Sequence, residues 1–512
     1  MKHFTWVLLA ALWFGTLGIR PLYKADESRY GEISREMVAS GDWITPRLNG
    51  FKYFEKPPLQ YWTTAAAFEV FGAHDWVARL WTALIGFAGI ALTLWAGNRL
   101  FGKPVGFYAA AILAGSPLYA LLGQINTLDM SVSFFLSAAV FAFAAGHMLV
   151  FWAACALAVL SKGLIGIVLP LGAVFFYMLA TRDWSVIRRI RPLAGPIVFL
   201  AIAAPWFIAV SAANPEFVHF FFVQEHFQRF TTEMHGRGQP AWYFVAVLAA
   251  GMVPWLLPLG LGAYRAVRSR DRSEWLLLVW AMVVLVFFSA SHSKLASYIL
   301  PAFPALAVLA ARHLERKPLL AQSLLVVLGG VAAAAVVTKL GGSYPEYAPW
   351  LVAAALMLAV AAALGAFFAW RGAAPIGVAC LAAGGLAATQ LGLAGHVTVA
   401  DRFTVAPTLA KARELPPPGV PVFAVDTYDH TLPWTLGRTV TMVKYRDELG
   451  VAIDWEPNKF VPDLAAFARA WREAPQAWAF VPADDAGKLS RELGIPMQEL
   501  ARGPTFALVK KP

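Results

Sequence analysis

The chain has 512 residues, of which 59% are hydrophobic and 14% charged, and its mean hydropathy is +0.59. Soluble globular domains are about a quarter Asp, Glu, Lys and Arg, so this composition excludes an ordinary soluble enzyme and requires lipid as part of the solvent. The formal charge of +11 does not call for nucleic acid, because the basic residues lie in short connections between apolar stretches, where they report orientation.

The first apolar stretch, 5–22, follows Lys2 and runs into Arg20-Pro-Leu-Tyr-Lys24 without a small-residue cleavage site, which predicts a retained signal anchor. Further stretches lie at 77–97, 105–123, 130–146, 149–160, 164–180, 193–211, 243–263, 275–291, 295–311, 318–338, 350–370 and 374–395. Together they predict about thirteen spans, most of them long enough to cross roughly 30 Å of hydrocarbon at 1.5 Å per residue. The stretch 149–160 is too short to cross squarely and is read as a tilted or partial helix. Alternate connections carry Arg99 and Lys103; Arg182, Arg188, Arg189 and Arg191; Arg265, Arg268, Arg270 and Arg272; Arg312, Arg316 and Lys317; and Arg371. The positive-inside rule makes these cytoplasmic, which places the amino terminus inside and puts the 23–76 loop and the carboxyl-terminal region outside. Cys155 and Cys380 both fall within spans, with neither metal spacing nor a disulfide framework.

After about residue 398 the composition becomes that of a soluble domain. Apolar runs at 420–425, 440–443, 477–481 and 506–509 alternate with helix-like segments at 463–473 and 484–493. The predicted fold class is therefore an α-helical polytopic membrane protein, residues 1–397, followed by a small outer α/β domain, residues 398–512.

The 23–76 loop is too long and too patterned to be a connector. From Asp26, the residues Tyr30, Ile33, Met37 and Val38 recur at helical spacing and the pattern stops at Gly41. A second helix starts at Pro57-Pro58, carries Leu59, Trp62, Ala66 and Val70 on one face, and ends at Gly72. Both are expected to lie along the membrane surface with their apolar faces in the headgroup zone. Between them Trp43, Tyr53, Phe54, Glu55 and Lys56 combine interfacial aromatics with charge, where a lipid headgroup would be met.

Asp26 and Glu27 alone would read as a solvated acidic pair at a helix start. A second carboxylate, Asp129, stands at the outer end of another span, and Lys162 occupies the same position on the next outward turn. Ionisable groups at the rim of a bundle usually face a cavity, although a lysine there also snorkels to the interface. The outer segment 214–242 holds Glu216, His219, Glu225, His226, Arg229, His235 and Arg237, and the turn 289–294 leads to Tyr298. The histidines and glutamates could bind a divalent cation, but their spacing matches no standard metal motif. Cations suit a phosphate; carboxylates suit sugar hydroxyls, an amine or a proton.

The segments Asp26-Glu-Ser-Arg-Tyr-Gly-Glu-Ile-Ser-Arg-Glu-Met37, Ser40-Gly-Asp-Trp43, Tyr53-Phe-Glu-Lys-Pro-Pro58 and Tyr61-Trp62 resemble the first outer loop of the bacterial lipid A 4-amino-4-deoxy-L-arabinose transferases. These belong to the protein mannosyltransferase-like, GT-C group of polyprenyl-phosphate-sugar glycosyltransferases. The resemblance continues through Leu128-Asp129, Ser161-Lys-Gly163, Glu225-His-Phe-Gln-Arg-Phe230 and 294–301. It implies thirteen spans with an outer carboxyl-terminal domain, and an inverting transfer of a sugar, aminoarabinose first, from undecaprenyl phosphate to lipid A at the outer leaflet of the inner membrane. It also implies that Asp26 and Asp129 are the essential carboxylates and that Lys56, Arg237 and Tyr298 hold the lipid phosphate. Arg29, Tyr53, Glu55, Lys162 and His226 fall in the matching segments and complete the expected substrate-binding set. The chain departs from the family pattern at Met130, at Ala296-Ser297 and in His235-Gly-Arg-Gly-Gln-Pro240, which bears on the identity of the sugar. Transfer to protein or another glycan is the rival within the enzyme class. A lipid-linked flippase or transporter would place its charge near the midplane, often with internal repeats, whereas here the charge is at the outer rim.

Overall fold

A helix lies in each stretch that the hydropathy marks as a span, in a computed structural model that describes residues 2–228, 238–340 and 344–512. Among the described residues, seven helices are long and apolar enough to cross a membrane alone: Asp75–Phe101, Leu128–Ala145, Ala194–Ala213, Arg272–Ala290, Arg316–Lys339, Ala348–Trp370 and Ala374–Arg402. Lys103–Ala114, Met148–Lys162, Ile165–Thr181 and Ala296–Arg312 are shorter apolar helices. The protein is a multi-span membrane protein.

Three expected spans are broken, each at proline. The stretch 105–123 divides into Lys103–Ala114 and Pro117–Leu122. The stretch 243–263 divides into Tyr243–Gly251 and Leu256–Arg268, bent by 118° around Pro254. The stretch 295–311 begins as a 3-10 turn, Ala296–Ala302, that contains Pro301. Proline has no N–H to donate and its ring clashes with the preceding turn, so an apolar run interrupted by it is hydrophobic without being one straight helix. At the sharpest bend the Leu257 amide finds a side-chain acceptor, Gln322 Oε1, at 2.6 Å, because an unpaired amide in this environment is costly.

The chain forms two compact units. The first comprises Met1–Leu17, Glu55–Gln60 and Arg79–Gly395. Its core is continuous from Trp13 through Tyr119, Phe141, Phe151 and Trp280 to Leu386. Its outer faces expose Leu193, Ile197, Ile208, Val245, Leu328 and Val360, apolar groups that hydrocarbon satisfies and water would not.

The second unit comprises Gly18–Phe54, Tyr61–Ala78 and His396–Pro512. Its sheet runs Thr441–Val443, Val422–Val425, Trp478–Pro482, Phe506–Lys510, Gln498–Arg502 from edge to edge. The first three strands are parallel and the last two join antiparallel. Both faces are covered: Phe423 and Val425 pack with Phe467 and Trp471, while Val422 and Ala424 pack with Leu409 and Leu432. That alternation is the period-two geometry of a strand buried on both sides. The helix Leu464–Glu473 is capped by Asp463, whose side chain accepts from the Ala466 amide at 2.7 Å.

The helix Asp26–Ser40 forms where the spacing predicts and ends at Gly41, which takes φ 69° while its amide bonds Met37 O at 3.0 Å. Its setting differs from the expectation of an interfacial helix: Glu27 to Ser34, Glu36 and Met37 are buried within the second unit, polar and apolar faces alike. Most of the buried polar groups find partners, though Glu36 Oε1 does not. Ser34 Oγ donates to Tyr30 O at 2.8 Å, Arg35 forks onto Glu32 at 2.6 and 2.7 Å, and the Gly50 amide donates to Glu36 at 2.8 Å. Gly31 brings the helix against Trp434; a methyl group there would lie 2.9 Å from Leu22 and 3.3 Å from the Trp434 ring. After the helix, Asn49 (φ 52°) and Gly50 (φ 80°) form the two-residue turn of a short hairpin pairing Arg47 with Lys52. The Asn49 side chain then acts as a strand partner, bonding Val440 N at 2.7 Å and Val440 O at 2.9 Å. The helix Leu59–Phe71 buries Tyr61, Ala65 and Phe68; of the predicted apolar face Ala66 and Val70 are exposed, and Leu59 and Trp62 are half-buried.

Burial pushes the Glu36 carboxyl up to about 8, and Glu32 beside it adds to the effect, while the Gly50 amide and Arg35 pull the other way. The folded chain thus holds this proton more tightly than an unfolded carboxyl near 4.5. The stabilisation is full below about 4.5, falls by at most ~1.4 kcal/mol per pH unit above it, and is gone past about 8. Thermal melting of the purified protein is expected to weaken from pH 6 to pH 8.5, and Glu36→Gln to flatten that slope. Identical slopes in the two proteins would overturn the assignment.

Candidate active site

In the first unit, Asp129 lies in the first turn of Leu128–Ala145 and Lys162 in the last turn of the next helix, Met148–Lys162. Consecutive antiparallel helices bring these ends together, and Lys162 Nζ donates to Asp129 Oδ1. Each charge also suits its own helix, a carboxylate at the positive end and an ammonium at the negative end. Lys162 Nζ stands 4.7 Å from the centre of the Tyr298 ring, a cation over an aromatic face. Tyr298 in turn packs on Phe288 with 5.1 Å between ring centres.

Lys56 lies in the same unit. Its Nζ donates to Glu225 Oε2 at 3.0 Å and to Glu55 O at 2.8 Å, with Glu55 Oε2 at 3.7 Å. The segment carrying Glu225 is anchored by aromatic packing: Phe217 stacks on Phe221 at 5.2 Å, and both meet Phe207. Just after Lys56, fully buried Gln60 donates to Asn126 Oδ1 at 2.9 Å and accepts from Ser131 Oγ at 3.0 Å. Asn126 and Ser131 bracket Asp129, so this amide ties the chain that bears the lysine to the turn that bears the carboxylate.

In the second unit, Asp26 opens its helix and Arg29 follows one turn later. Arg29 Nη1 donates to Asp26 Oδ1 at 2.9 Å, while Nε and Nη2 fork onto Glu448 at 3.1 and 2.6 Å. His430 Nε2 bonds Glu448 Oε1. The Asp26 side chain is 43% exposed and that of Arg29 only 9%, so Asp26 is the end of this chain of charges that reaches solvent. Burial alone would raise the Glu448 carboxyl, but His430 and Arg29 hold it ionised, at about 2. Burial would likewise weaken the Arg29 charge, yet Tyr53, Glu448 and Asp26 raise its proton affinity well above that of a free guanidinium.

The structure therefore joins Asp129, Lys162 and Tyr298, joins Lys56 with Glu55 and Glu225, and joins Asp26 with Arg29 beside buried Tyr53. Arg229, His235 and Arg237, and the side chain of His226, lie outside the described residues. Among the described residues no three His, Cys, Asp or Glu side chains cluster as metal ligands would. The sequence did not single out Glu448 and His430, for neither stands in a motif and their partner Arg29 is some 400 positions away.

Residues 55–208 match the family model for dolichyl-phosphate-mannose-protein mannosyltransferase, and residues 408–511 that for the aminoarabinose transferase C-terminal domain. The crystal structure of ArnT from Cupriavidus metallidurans bound to undecaprenyl phosphate superposes with a TM-score of 0.94 at 33% identity, covering 100% of this chain and 98% of that one. The apo form of the same enzyme gives 0.90 at 34% identity, covering 99% and 97%. The fold is that of a multi-span membrane glycosyltransferase.

Among curated relatives, the undecaprenyl phosphate-alpha-4-amino-4-deoxy-L-arabinose arabinosyl transferase of Erwinia tasmaniensis is 32% identical over 416 residues, 75% of this chain and 73% of the relative. That of Edwardsiella ictaluri is 35% identical over 350 residues, 64% and 63% of the two chains. The protein belongs to this arabinosyl transferase family.

Proposed function

We propose that the protein transfers 4-amino-4-deoxy-L-arabinose from undecaprenyl phosphate to a phosphate of lipid A, with inversion, at the periplasmic face of the inner membrane. The observation that carries the reading is the full-length likeness to ArnT bound to undecaprenyl phosphate, at 33% identity. In this reading residues 1–397 carry the transferase and residues 398–512 form a periplasmic domain, with the amino terminus cytoplasmic as the arginine-rich connections favour.

The chemistry divides among the named groups. An acceptor phosphate oxygen attacks the anomeric carbon of the donor, the carbon–oxygen bond to the lipid phosphate breaks, and undecaprenyl phosphate leaves. Lys56, with Arg237 and Tyr298, binds the lipid phosphate, and its cations stabilise the charge that develops there, so no general acid is needed. A phosphate acceptor is already anionic and needs no strong base; Asp26 and Asp129 then orient the sugar or bind its amino group. Glu55, Arg29, Tyr53, Lys162 and His226 complete the substrate-binding set.

Mass spectrometry of lipid A tests this. Cells expressing the gene are expected to carry lipid A heavier by one or more aminoarabinose residues, and cells lacking it, or carrying Asp26→Asn, to carry none. Unchanged lipid A together with a newly glycosylated protein would replace lipid A by a protein acceptor.

A further inference from the structure

Glu448 belongs to the carboxyl-terminal domain, to which no step of the reaction is assigned, yet it holds the arginine that touches Asp26. The Arg29 guanidinium divides its donors unequally: two go to Glu448, at 3.1 and 2.6 Å, and one to Asp26 Oδ1, at 2.9 Å. A planar fork bound at both tines to a carboxylate has its orientation set by that carboxylate. Glu448 is itself fixed from the other side by His430, whose ring packs against Tyr428 with 5.1 Å between centres. The exposure of the side chains falls from 43% at Asp26 to 9% at Arg29, 19% at Glu448 and 11% at His430. Arg29 and His430 are thus buried, Glu448 is half-buried, and only the acid is exposed. Arg29 sits one helical turn from Asp26, close enough to close on both of its oxygens once released.

We propose that Glu448, backed by His430, is a positioning residue for sugar transfer: by engaging the fork of Arg29 it limits that arginine to one oxygen of Asp26 and leaves the carboxylate turned outward for substrate. The proposal rests on the reading of Asp26 as a group that meets substrate. It gives the carboxyl-terminal domain a part in turnover without any residue of that domain touching the sugar. Loss of Glu448 lets Arg29 clamp Asp26 in two places, so chemistry suffers while the lipid phosphate is bound as before.

The test uses the purified full-length protein with undecaprenyl phosphate-linked aminoarabinose as donor and lipid A as acceptor. Glu448→Gln is expected to lower kcat at least tenfold with donor KM within about twofold of wild type, and Glu448→Asp to restore part of the loss. The double variant Arg29→Ala/Glu448→Gln is expected to be no worse than Arg29→Ala, since the glutamate acts only through the arginine. Asp454→Asn, which breaks the exposed pair with Arg446 in the same domain, is the control and is expected to leave both constants unchanged. A wild-type kcat in Glu448→Gln, or losses that add in the double variant, overturns the proposal. Should Glu448→Gln not accumulate, a wild-type kcat in Glu448→Ala, which removes the carboxylate altogether, overturns it equally. An active Asp26→Asn enzyme refutes the reading of Asp26 itself; an inactive one beside a fully active Glu448→Gln refutes the positioning role alone.

Discussion

Asp129→Ala is expected to abolish transfer and to destabilise the protein by about 3–5 kcal/mol, because it strands the Lys162 ammonium with a half-built site around it. Both side chains are largely buried, 10% exposed for Asp129 and 15% for Lys162. The face of Tyr298, 4.7 Å from Nζ, compensates only a part, of the order of 1–2 kcal/mol. Stability and catalysis separate in the double variant Asp129→Ala/Lys162→Met. Replacing a buried pair by apolar groups is often neutral, so melting in detergent is expected to return close to wild type while the transfer rate stays at background. A double variant as unstable as the single one would mean that the pair is not the source of the loss, and an active Asp129→Ala would remove this carboxylate from the reaction.

The second large effect is expected at Lys56. Lys56→Met should lower kcat by about 10²–10³, the usual cost of removing one preorganised donor aimed at developing negative charge. In the structure Nζ is held by Glu225 at 3.0 Å and by the Glu55 carbonyl at 2.8 Å, so the ammonium is fixed in place by its own chain. Lys56→Arg keeps the charge but replaces a compact point donor by a planar fork, and is expected to keep a minor fraction of the rate. Initial rates with the undecaprenyl phosphate-linked donor decide it: a Lys56→Met enzyme within tenfold of wild type would transfer the phosphate-binding role to another cation.

What could be read from the sequence followed from local period and composition. Leu128–Ala145 and Ala348–Trp370 stand out because nothing but helix satisfies the backbone of so apolar a run in lipid. The helix Asp26–Ser40 was legible in Tyr30, Ile33, Met37 and the stop at Gly41, yet its surroundings were not. A helical wheel sends Arg29, Glu32 and Glu36 to water or headgroups; they are buried because Glu448 and the Asn49-Gly50 turn meet them there. The Asn-Gly pair was a local signal for that hairpin, whereas Glu448 offered none. The edge strand Gln498–Arg502 escaped notice for a related reason: three of its five residues are exposed, so it lacks the apolar run that marked the other four strands. At the site, the Asp129–Lys162 pair was foreshadowed by two ionisable groups at matching ends of neighbouring helices, but the chain of Asp26, Arg29, Glu448 and His430 is closed by the fork of Arg29 on Glu448, whose partners stand some 400 residues apart.

The second unit is assembled from three separate pieces of chain, 18–54, 61–78 and 396–512. Ribosomes deliver these pieces in order at about 5–20 residues per second, so the helix bearing Asp26 emerges tens of seconds before the strands and turns that bury it. During that interval Glu32 and Arg29 have only partners on their own helix, Arg35 and Asp26, and water. If Asp26 meets substrate as proposed, a chain cut short within its last hundred residues is expected to be inserted and helical yet inactive, its acid at position 26 present without the Arg29–Glu448 pair beside it.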